Sequence, residues 1–362
     1  MKKTILILTT FYEPFIGGAE IAVKEIVKRL HNDFNFIIIT GRYKKSLPKQ
    51  EYINGIKIYR VGIGCKYDKF FYPFLSSIKS FSIKFDLSYA IMASYAGAAA
   101  VFIKTFRGKP YVLNLQSGTM ETEDYVKIIK FFQPFYKRIY TGAEKIHAIS
   151  ISLKERAERL GVITEKIYVI PNGIDLEKFR SINNQKHSKM IITVANLKKV
   201  KGLDHLIKAA SLVTAKYPDT EFIIAGEGEE RKSLENLIKK IKLEEHVKLV
   251  GAIDHNKIPK LLNLGNIFVC PSLAEGFGLV ILEAMACGMV VIGSKTGGIT
   301  DIIQDKYNGL LIDPGDSLAI AQSINYLLEN KNQFEKIKNN SLKFVINYDW
   351  NKICQKIKIL FI

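Results

Sequence analysis

Short runs of wholly apolar residues alternate with amphipathic stretches along almost the entire chain. Residues 4–9, built on Ile5-Leu6-Ile7-Leu8, form the first such run, and 20–30 follow with Ile21, Ile26, Val27 and Leu30 on one helical face. The same alternation predicts strands over 36–40, 56–61, 87–92, 111–116, 145–149 and 168–170, and a helix of small residues over 96–106. It starts again at Met190: strand 190–194, helix 203–216, strand 221–225, helix 231–241, strand 247–249 and helix 257–264. Strands apolar on both faces, separated by helices, predict an α/β fold with a parallel, doubly wound sheet. Two such sets in 362 residues exceed one ordinary core, so two Rossmann-like domains are expected. We place the first at 1–180, a polar linker at 181–189, the second at 190–345 and a terminal helix within 346–362, from about Trp350.

The segment richest in chemistry is Glu275-Gly276-Phe277-Gly278-Leu279-Val280-Ile281-Leu282-Glu283. An apolar strand (Ile267, Phe268, Val269, Cys270) and Pro271-Ser272 lead into it, and Ala284-Met285-Ala286-Cys287-Gly288 closes it with a C-cap glycine. Strand, glycine loop and helix in that order mark the ligand-binding end of an α/β sheet. Gly276 and Gly278 leave backbone N–H groups able to point at an anion, and the helix N-terminus adds positive dipole. Glu275, in the loop, is suited to accept hydrogen bonds from sugar hydroxyls. Eight helical positions of about 1.5 Å rise would put Glu283 roughly 11–12 Å further on. That span fits a hexose at one end and a ribose diol at the other, the length of a nucleotide-sugar. Taken alone, Glu283 reads as an ordinary solvated face residue.

Glu-x7-Glu followed by Ala-x-Ala-x-Gly resembles the retaining glycosyltransferases of family 4, which have the GT-B fold. Further segments fit in the same order: the glycine loop Phe11-Tyr12-Glu13-Pro14-Phe15-Ile16-Gly17-Gly18-Ala19-Glu20, then Ile170-Pro171-Asn172-Gly173-Ile174-Asp175 and the stretch from Val194 to Gly202. Ile224-Ala225-Gly226-Glu227-Gly228, Gly297-Gly298-Ile299 and Asn308-Gly309-Leu310-Leu311 complete the set. The resemblance implies two Rossmann-like domains with parallel sheets facing a central cleft, and a closing helix that returns to the first domain. It implies transfer of a hexose from a nucleoside-diphosphate sugar to a hydroxyl acceptor with retention of configuration. Lys201, before Gly202 at a helix start, is suited to hold phosphate as a point charge, and the resemblance gives it the same role. Glu275 would bind the hexose, the backbone of Phe277, Gly278 and Leu279 would approach sugar and phosphates, and Glu283 would bind ribose. Backbone N–H groups of Gly17 and Gly18 would complete the phosphate cradle from across the cleft. Such an enzyme needs no protein nucleophile, because the diphosphate itself accepts the proton of the incoming hydroxyl.

Two positions depart from the family pattern. Asn196 stands five residues before Lys201, where many members carry an arginine, and it offers no bidentate guanidinium fork to a phosphate. Gln116-Ser117-Gly118 follows the strand at 111–115, where members often place a histidine near the reaction centre. Gln116 can hydrogen-bond a hexose hydroxyl but cannot exchange a proton.

Charge and composition narrow the partners. The net charge of +18 is uneven: residues 1–175 carry 27 Lys and Arg against 15 Asp and Glu, or +12. No zinc-finger, RRM or helix-turn-helix signature accompanies that excess, so nucleic acid is not expected. Aromatics interleave with the basic residues at 66–85 and 126–140, a pattern suited to an anionic membrane surface, although the same aromatics could equally be core. No Asp-x-Asp occurs, and the six histidines (His31, His147, His187, His205, His246, His255) show no ligand spacing, so metal-independent transfer without a cofactor is expected. The four cysteines form no Cys-x-x-Cys pair and read as reduced thiols. With neither a spanning apolar run nor a leader cleavage site, the expected location is cytoplasmic, peripheral to the inner face of the cell membrane. There the enzyme would use a sugar or lipid-linked acceptor in cell-surface polysaccharide or glycolipid synthesis. Two other readings fit less: a non-catalytic nucleotide-sugar-binding regulatory subunit, which Asn196 and Gln116 alone would favour, and a nucleotide-sugar epimerase of the same fold. An NAD dehydrogenase is disfavoured because Gly226-Glu227-Gly228-Glu229-Glu230-Arg231 lacks the third glycine.

Overall fold

The structure, a computed structural model, describes residues 2–15, 17–116, 133–182 and 187–362. Ile16 of the first glycine loop, Ser117-Gly118 after Gln116, residues 126–132 of the second aromatic–basic stretch and 183–186 of the expected linker lie outside the described residues. The chain divides into two compact units, Met1–Asn172 with Trp350–Ile362, and Gly173–Asp349.

The first unit runs β1 (Thr4–Leu8), α1 (Gly18–Leu30), β2 (Asn35–Gly41), β3 (Gln50–Ile53), β4 (Ile56–Val61), α2 (Asp68–Ser80) and β5 (Leu87–Ile91). It continues with α3 (Tyr95–Arg107), β6 (Tyr111–Leu115), α4 (Gln133–Thr141), β7 (Lys145–Ala148), α5 (Ile151–Arg159) and β8 (Ile167–Val169). Its sheet has the order β3-β4-β2-β1-β5-β6-β7-β8, parallel throughout except for the edge hairpin β3–β4. Asn54-Gly55, both at positive φ, form the turn of that hairpin. The central strands β1, β5 and β6 are buried along nearly their whole length, as strands covered on both faces must be.

The second unit runs β9 (His187–Val194), α6 (Leu203–Lys216), β10 (Glu221–Ala225), α7 (Arg231–Lys240), β11 (Val247–Gly251), α8 (Ile258–Leu262) and β12 (Gly265–Cys270). After these come α9 (Leu279–Ala286), β13 (Val290–Ser294), α10 (Ile299–Ile302), β14 (Leu310–Ile312), α11 (Ser317–Glu329) and α12 (Lys331–Val345). All six strands are parallel, in the order β11-β10-β9-β12-β13-β14. The order runs outward both ways from the β9–β12 pair, which makes the loops after β9 and β12 neighbours at a topological switch point. The final helix α13 (Trp350–Lys358) belongs to the first unit, where Trp350, Ile353, Ile357 and Phe361 join the core beside Ile26, Leu30 and Phe36.

Helix α2 inverts the usual amphipathic rule. Ser76, Ser77 and Ser80 are buried together with Asp68 and Tyr72, while Tyr67, Phe70, Phe71, Phe74, Ile78 and Phe81 are each more than half exposed. The inward polar groups are satisfied locally: Tyr72 Oη donates to the Ile39 carbonyl at 2.8 Å, and Ser80 Oγ to the Ser77 carbonyl at 2.6 Å. Asp68 accepts from the N–H groups of Ile63, Gly64 and Cys65. Small inward side chains let α2 lie close on the Ala-rich helix α3.

His147, in β7, is fully buried. Its Nδ1 accepts from Tyr89 Oη at 2.7 Å and its Nε2 donates to the Ile170 carbonyl at 2.7 Å. Burial lowers its pKa from 6.5 to about 4 despite the bond to the carbonyl. A depressed folded-state value means the unfolded chain takes up a proton first as the pH falls. The stability tied to the neutral ring is therefore complete above about pH 6.5 and is lost as pH falls towards 4, by about 3 kcal/mol. Urea midpoints measured from pH 7 to 4 should drop accordingly, and the slope over that window should flatten in His147→Gln. An unchanged slope in the variant would assign the acid lability to other groups.

Candidate functional site

The loops after β9 and β12 meet through both backbone and side chains. The Leu273 N–H donates to the Val200 carbonyl at 2.8 Å, and Lys201 Nζ donates to Glu275 Oε2 at 2.7 Å. Lys201 closes a 3-10 turn (Lys199–Lys201), and its own N–H bonds the Lys198 carbonyl at 2.9 Å. Gly202 then starts α6 in the left-handed region, φ +62°, and a Cβ there would lie 2.2 Å from the Pro271 carbonyl oxygen. Only glycine lets the lysine turn approach the β12 loop this closely. Burial alone would lower the Lys201 ammonium, but the Glu275 carboxylate outweighs it and holds the pKa above its usual value, so the lysine is a fixed cation. Glu275 also accepts from the Gly276 N–H at 3.2 Å and lies 3.5 Å from Ser272 Oγ. This cation–carboxylate pair can grip an anion beside a set of hydroxyls.

Gly276, Phe277 and Gly278 are buried, and Gly278 caps α9 with Leu279 at its first helical position. The helix ends in a Schellman turn, with Gly288 N–H to Met285 O at 2.9 Å and Met289 N–H to Ala284 O at 3.0 Å. Because α9 begins only at Leu279, Glu283 is its fifth residue, and the eight-residue helical span from Glu275 is corrected: four steps are helix and the first four are loop. Glu283 is 3% exposed, not a solvated face residue. Its Oε1 lies 2.8 Å from His255 Nε2, and His255 Nδ1 receives Lys178 Nζ at 2.7 Å. With the ammonium donating to Nδ1, the ring carries its proton on Nε2 and donates to Glu283. Sequence spacing gave no hint of His255, since it lies 28 residues before the glutamate it orients.

Asn196 is exposed on the loop after β9, where its carbonyl accepts from the Lys198 N–H at 2.8 Å. Gly17, Gly18 and Gln116 belong to the other unit. Gly17 N–H donates to Glu20 Oε2 at 2.8 Å, so the chain's own carboxylate, its pKa raised by burial, already holds that anion position. Gly18 is the first residue of α1. Gln116 is locked among side-chain amides: its Nε2 donates to Asn114 Oδ1 at 2.7 Å, and Asn172 Nδ2 donates to Gln116 Oε1 at 2.8 Å. It lines a cavity of about 290 Å³ with Thr10, Glu20, Met92, Ser94 and Tyr95. Among the described residues, no group of three His, Cys, Asp or Glu converges to hold a metal ion.

Comparison with known proteins places the chain in a family. The family described as glycosyltransferase family 4 matches residues 16–178, and that described as glycosyl transferases group 1 matches 175–344. An uncharacterized glycosyltransferase of Methanocaldococcus jannaschii is 30% identical over 384 positions, covering 97% of this chain and 96% of that protein. The phosphatidylinositol N-acetylglucosaminyltransferase gpi3 subunit of Schizosaccharomyces pombe is 26% identical, covering 86% of this chain and 70% of that protein. Among solved structures, sucrose-phosphate synthase from Thermosynechococcus elongatus has a TM-score of 0.86 at 20% identity, with 99% of this chain and 98% of that one covered. Anabaena HepE in complex with UDP-glucose has a TM-score of 0.81 at 22% identity, with 99% of both chains covered. These structures show the GT-B fold, and the full-length relative together with the two family matches shows the rest: the chain belongs to the family 4 glycosyltransferases, enzymes that draw on nucleotide-sugar donors.

Proposed function

We propose that the protein transfers a hexose from a nucleoside-diphosphate sugar to a hydroxyl acceptor with retention of configuration. The observation that carries this reading is the Lys201–Glu275 pair at the switch point, followed by the buried, histidine-oriented Glu283. Lys201 and the N-terminus of α9, with the backbone at Phe277, Gly278 and Leu279, bind the diphosphate, while Glu275 holds hexose hydroxyls and Glu283 the ribose diol. In the reaction the bond from the anomeric carbon to the diphosphate oxygen breaks, and the acceptor oxygen bonds to that carbon on the same face. The acceptor proton passes to the departing phosphate oxygen. Asn196 leaves the phosphate charge chiefly to Lys201, and the sequence, which has no Asp-x-Asp, leads us to expect transfer without a bridging metal. The first unit would take the acceptor, with Gln116 and the cavity beside Glu20 as its lining, while Gly17 and Gly18 would serve the donor phosphates. Its positive charge supports work at an anionic membrane surface, on a sugar or lipid-linked acceptor of surface polysaccharide or glycolipid synthesis. Relatives named for transfer to phosphatidylinositol support an acceptor of that kind.

Kinetics in excess EDTA test the assignment. Glu275→Gln should lower kcat by about a hundredfold with modest change in KM, as loss of a contact realised at the reacting sugar does. Glu283→Ala should instead raise the donor KM about tenfold or more, as loss of a ribose contact does. Wild-type kinetics in both variants would remove the donor assignment, and activity that vanishes with EDTA and returns with magnesium or manganese would remove the metal-independent mechanism.

A further inference from the structure

We infer that the outer face of α2 is a bilayer-docking surface, built to enter the headgroup region of an anionic membrane. Tyr67, Phe70, Phe71, Phe74, Ile78 and Phe81 all fall within an arc of about 100° at 3.6 residues per turn. Six large apolar side chains exposed on one helix face are far more than a solvated surface carries by chance. Ring contacts extend the patch to α3, where Phe74 lies 4.9 Å from Phe102 and Phe106 is also exposed. Cations rim it. Lys66 and Lys69 lie over the rings of Tyr67 and Phe70, and Arg107 lies 5.4 Å from the ring of Phe81. Aromatics that bury in the acyl boundary and cations that meet lipid phosphates are what an anionic interface recognises, whereas a protein partner needs no such positive rim. The patch also reaches the cavity. Phe70 makes an edge contact with Tyr95 at 5.9 Å, and Tyr95 lines the 290 Å³ space beside Glu20 and Gln116. Seating α2 in the bilayer therefore brings Tyr95, one wall of the cavity, close to the headgroup level. The inference deepens the transfer reading by specifying where the acceptor is met, and so rests on it for meaning, though not for its test.

Co-sedimentation of the full chain with phosphatidylglycerol-containing vesicles, against phosphatidylcholine alone, gives the first readout. Binding should require the anionic lipid and decline as salt rises, since screening acts over about 8 Å at physiological ionic strength. Phe71 and Ile78, both outward, should lose it: F71S/I78S is expected to bind vesicles about tenfold or more weakly. Its thermal shift with nucleoside diphosphates should stay at the wild-type value, because the donor residues lie in the other unit. Phe71→Trp gives a readout that does not depend on losing anything. On anionic vesicles the added indole should shift to the blue and be quenched by brominated lipid, while the native Trp350 is buried. No binding to either vesicle, or binding with an unshifted and unquenched indole, would overturn the docking surface. Loss of the nucleotide response in wild-type protein would instead strike the transfer reading.

Discussion

Lys201→Ala is expected to lower turnover by about 10²–10³ and to weaken nucleoside diphosphate binding at least tenfold. The size follows from what the site has to work with. Asn196 cannot supply a guanidinium, so the ammonium of Lys201 is the principal charge offered to the diphosphate from the loop after β9. That ammonium is about one-fifth exposed and beside a carboxylate, which keeps it charged before any ligand arrives. Removing it does two things at once. The leaving group loses its counter-charge, and among the described residues Glu275 keeps the Gly276 N–H and Ser272 hydroxyl as partners for a part-buried carboxylate. The second loss should cost about 1–3 kcal/mol of stability, a modest fall in melting temperature. Titration with the nucleoside diphosphate that most raises the wild-type melting temperature provides the check. Unchanged affinity and kcat in the variant would take Lys201 out of the mechanism.

How much of this was legible in the residues depends on whether the signal was local. The apolar runs at 4–8, 87–91, 111–115 and 267–270 fixed strands to within a residue or two because a strand buried on both faces has no other way to be written. The loop from Glu275 to Gly278 was legible for the same reason, being one contiguous segment with its helix behind it. Helix α2 was not. Its apolar residues repeat at helical spacing, but they stood out as an aromatic–basic stretch, and the rule that such a face turns inward would have oriented the helix backwards. What decides its orientation is the stripe of buried serines and the small residues of α3, a relation between two segments.

The same distinction separates the site residues. Glu275 and Glu283 announce themselves together, whereas His255 reaches Glu283 from 28 positions away, Lys178 reaches His255 from 77, and neither has a motif of its own. Burial of Glu283 was equally hidden, since a helix that is apolar nearly all round gives no polar face on which to place it. Gly297-Gly298 was recognisable as a motif, but its purpose was not. The pair lies under the loop it supports, and only the folded chain shows what a side chain there would strike.

Gly297→Ala should therefore abolish most activity without touching a substrate. A Cβ at Gly297 would lie 1.8 Å from the carbonyl oxygen of Glu275, and backbone cannot swing aside as a flexible side chain can. The neighbouring Gly298 N–H donates to that same carbonyl at 3.3 Å, so the two glycines form the seat on which the Glu275 peptide rests. Relief of the clash is expected to shift the Glu275 segment and so disturb its 2.7 Å pair with Lys201. A displacement of about 1 Å at a reacting group costs about a hundredfold in rate, which is the expected fall in kcat. Overpacking and a left-handed backbone at φ +49° add about 1–3 kcal/mol of destabilisation, so a stability control is needed. Gly108→Ala supplies it: φ is +66°, nothing lies within 4 Å of the added carbon, and the residue follows α3 in the other unit. That control should show the conformational cost in melting temperature while kcat stays at the wild-type value. If Gly297→Ala behaved like Gly108→Ala, the position of Glu275 would not be what limits the reaction, and the loop's role would reduce to holding the fold.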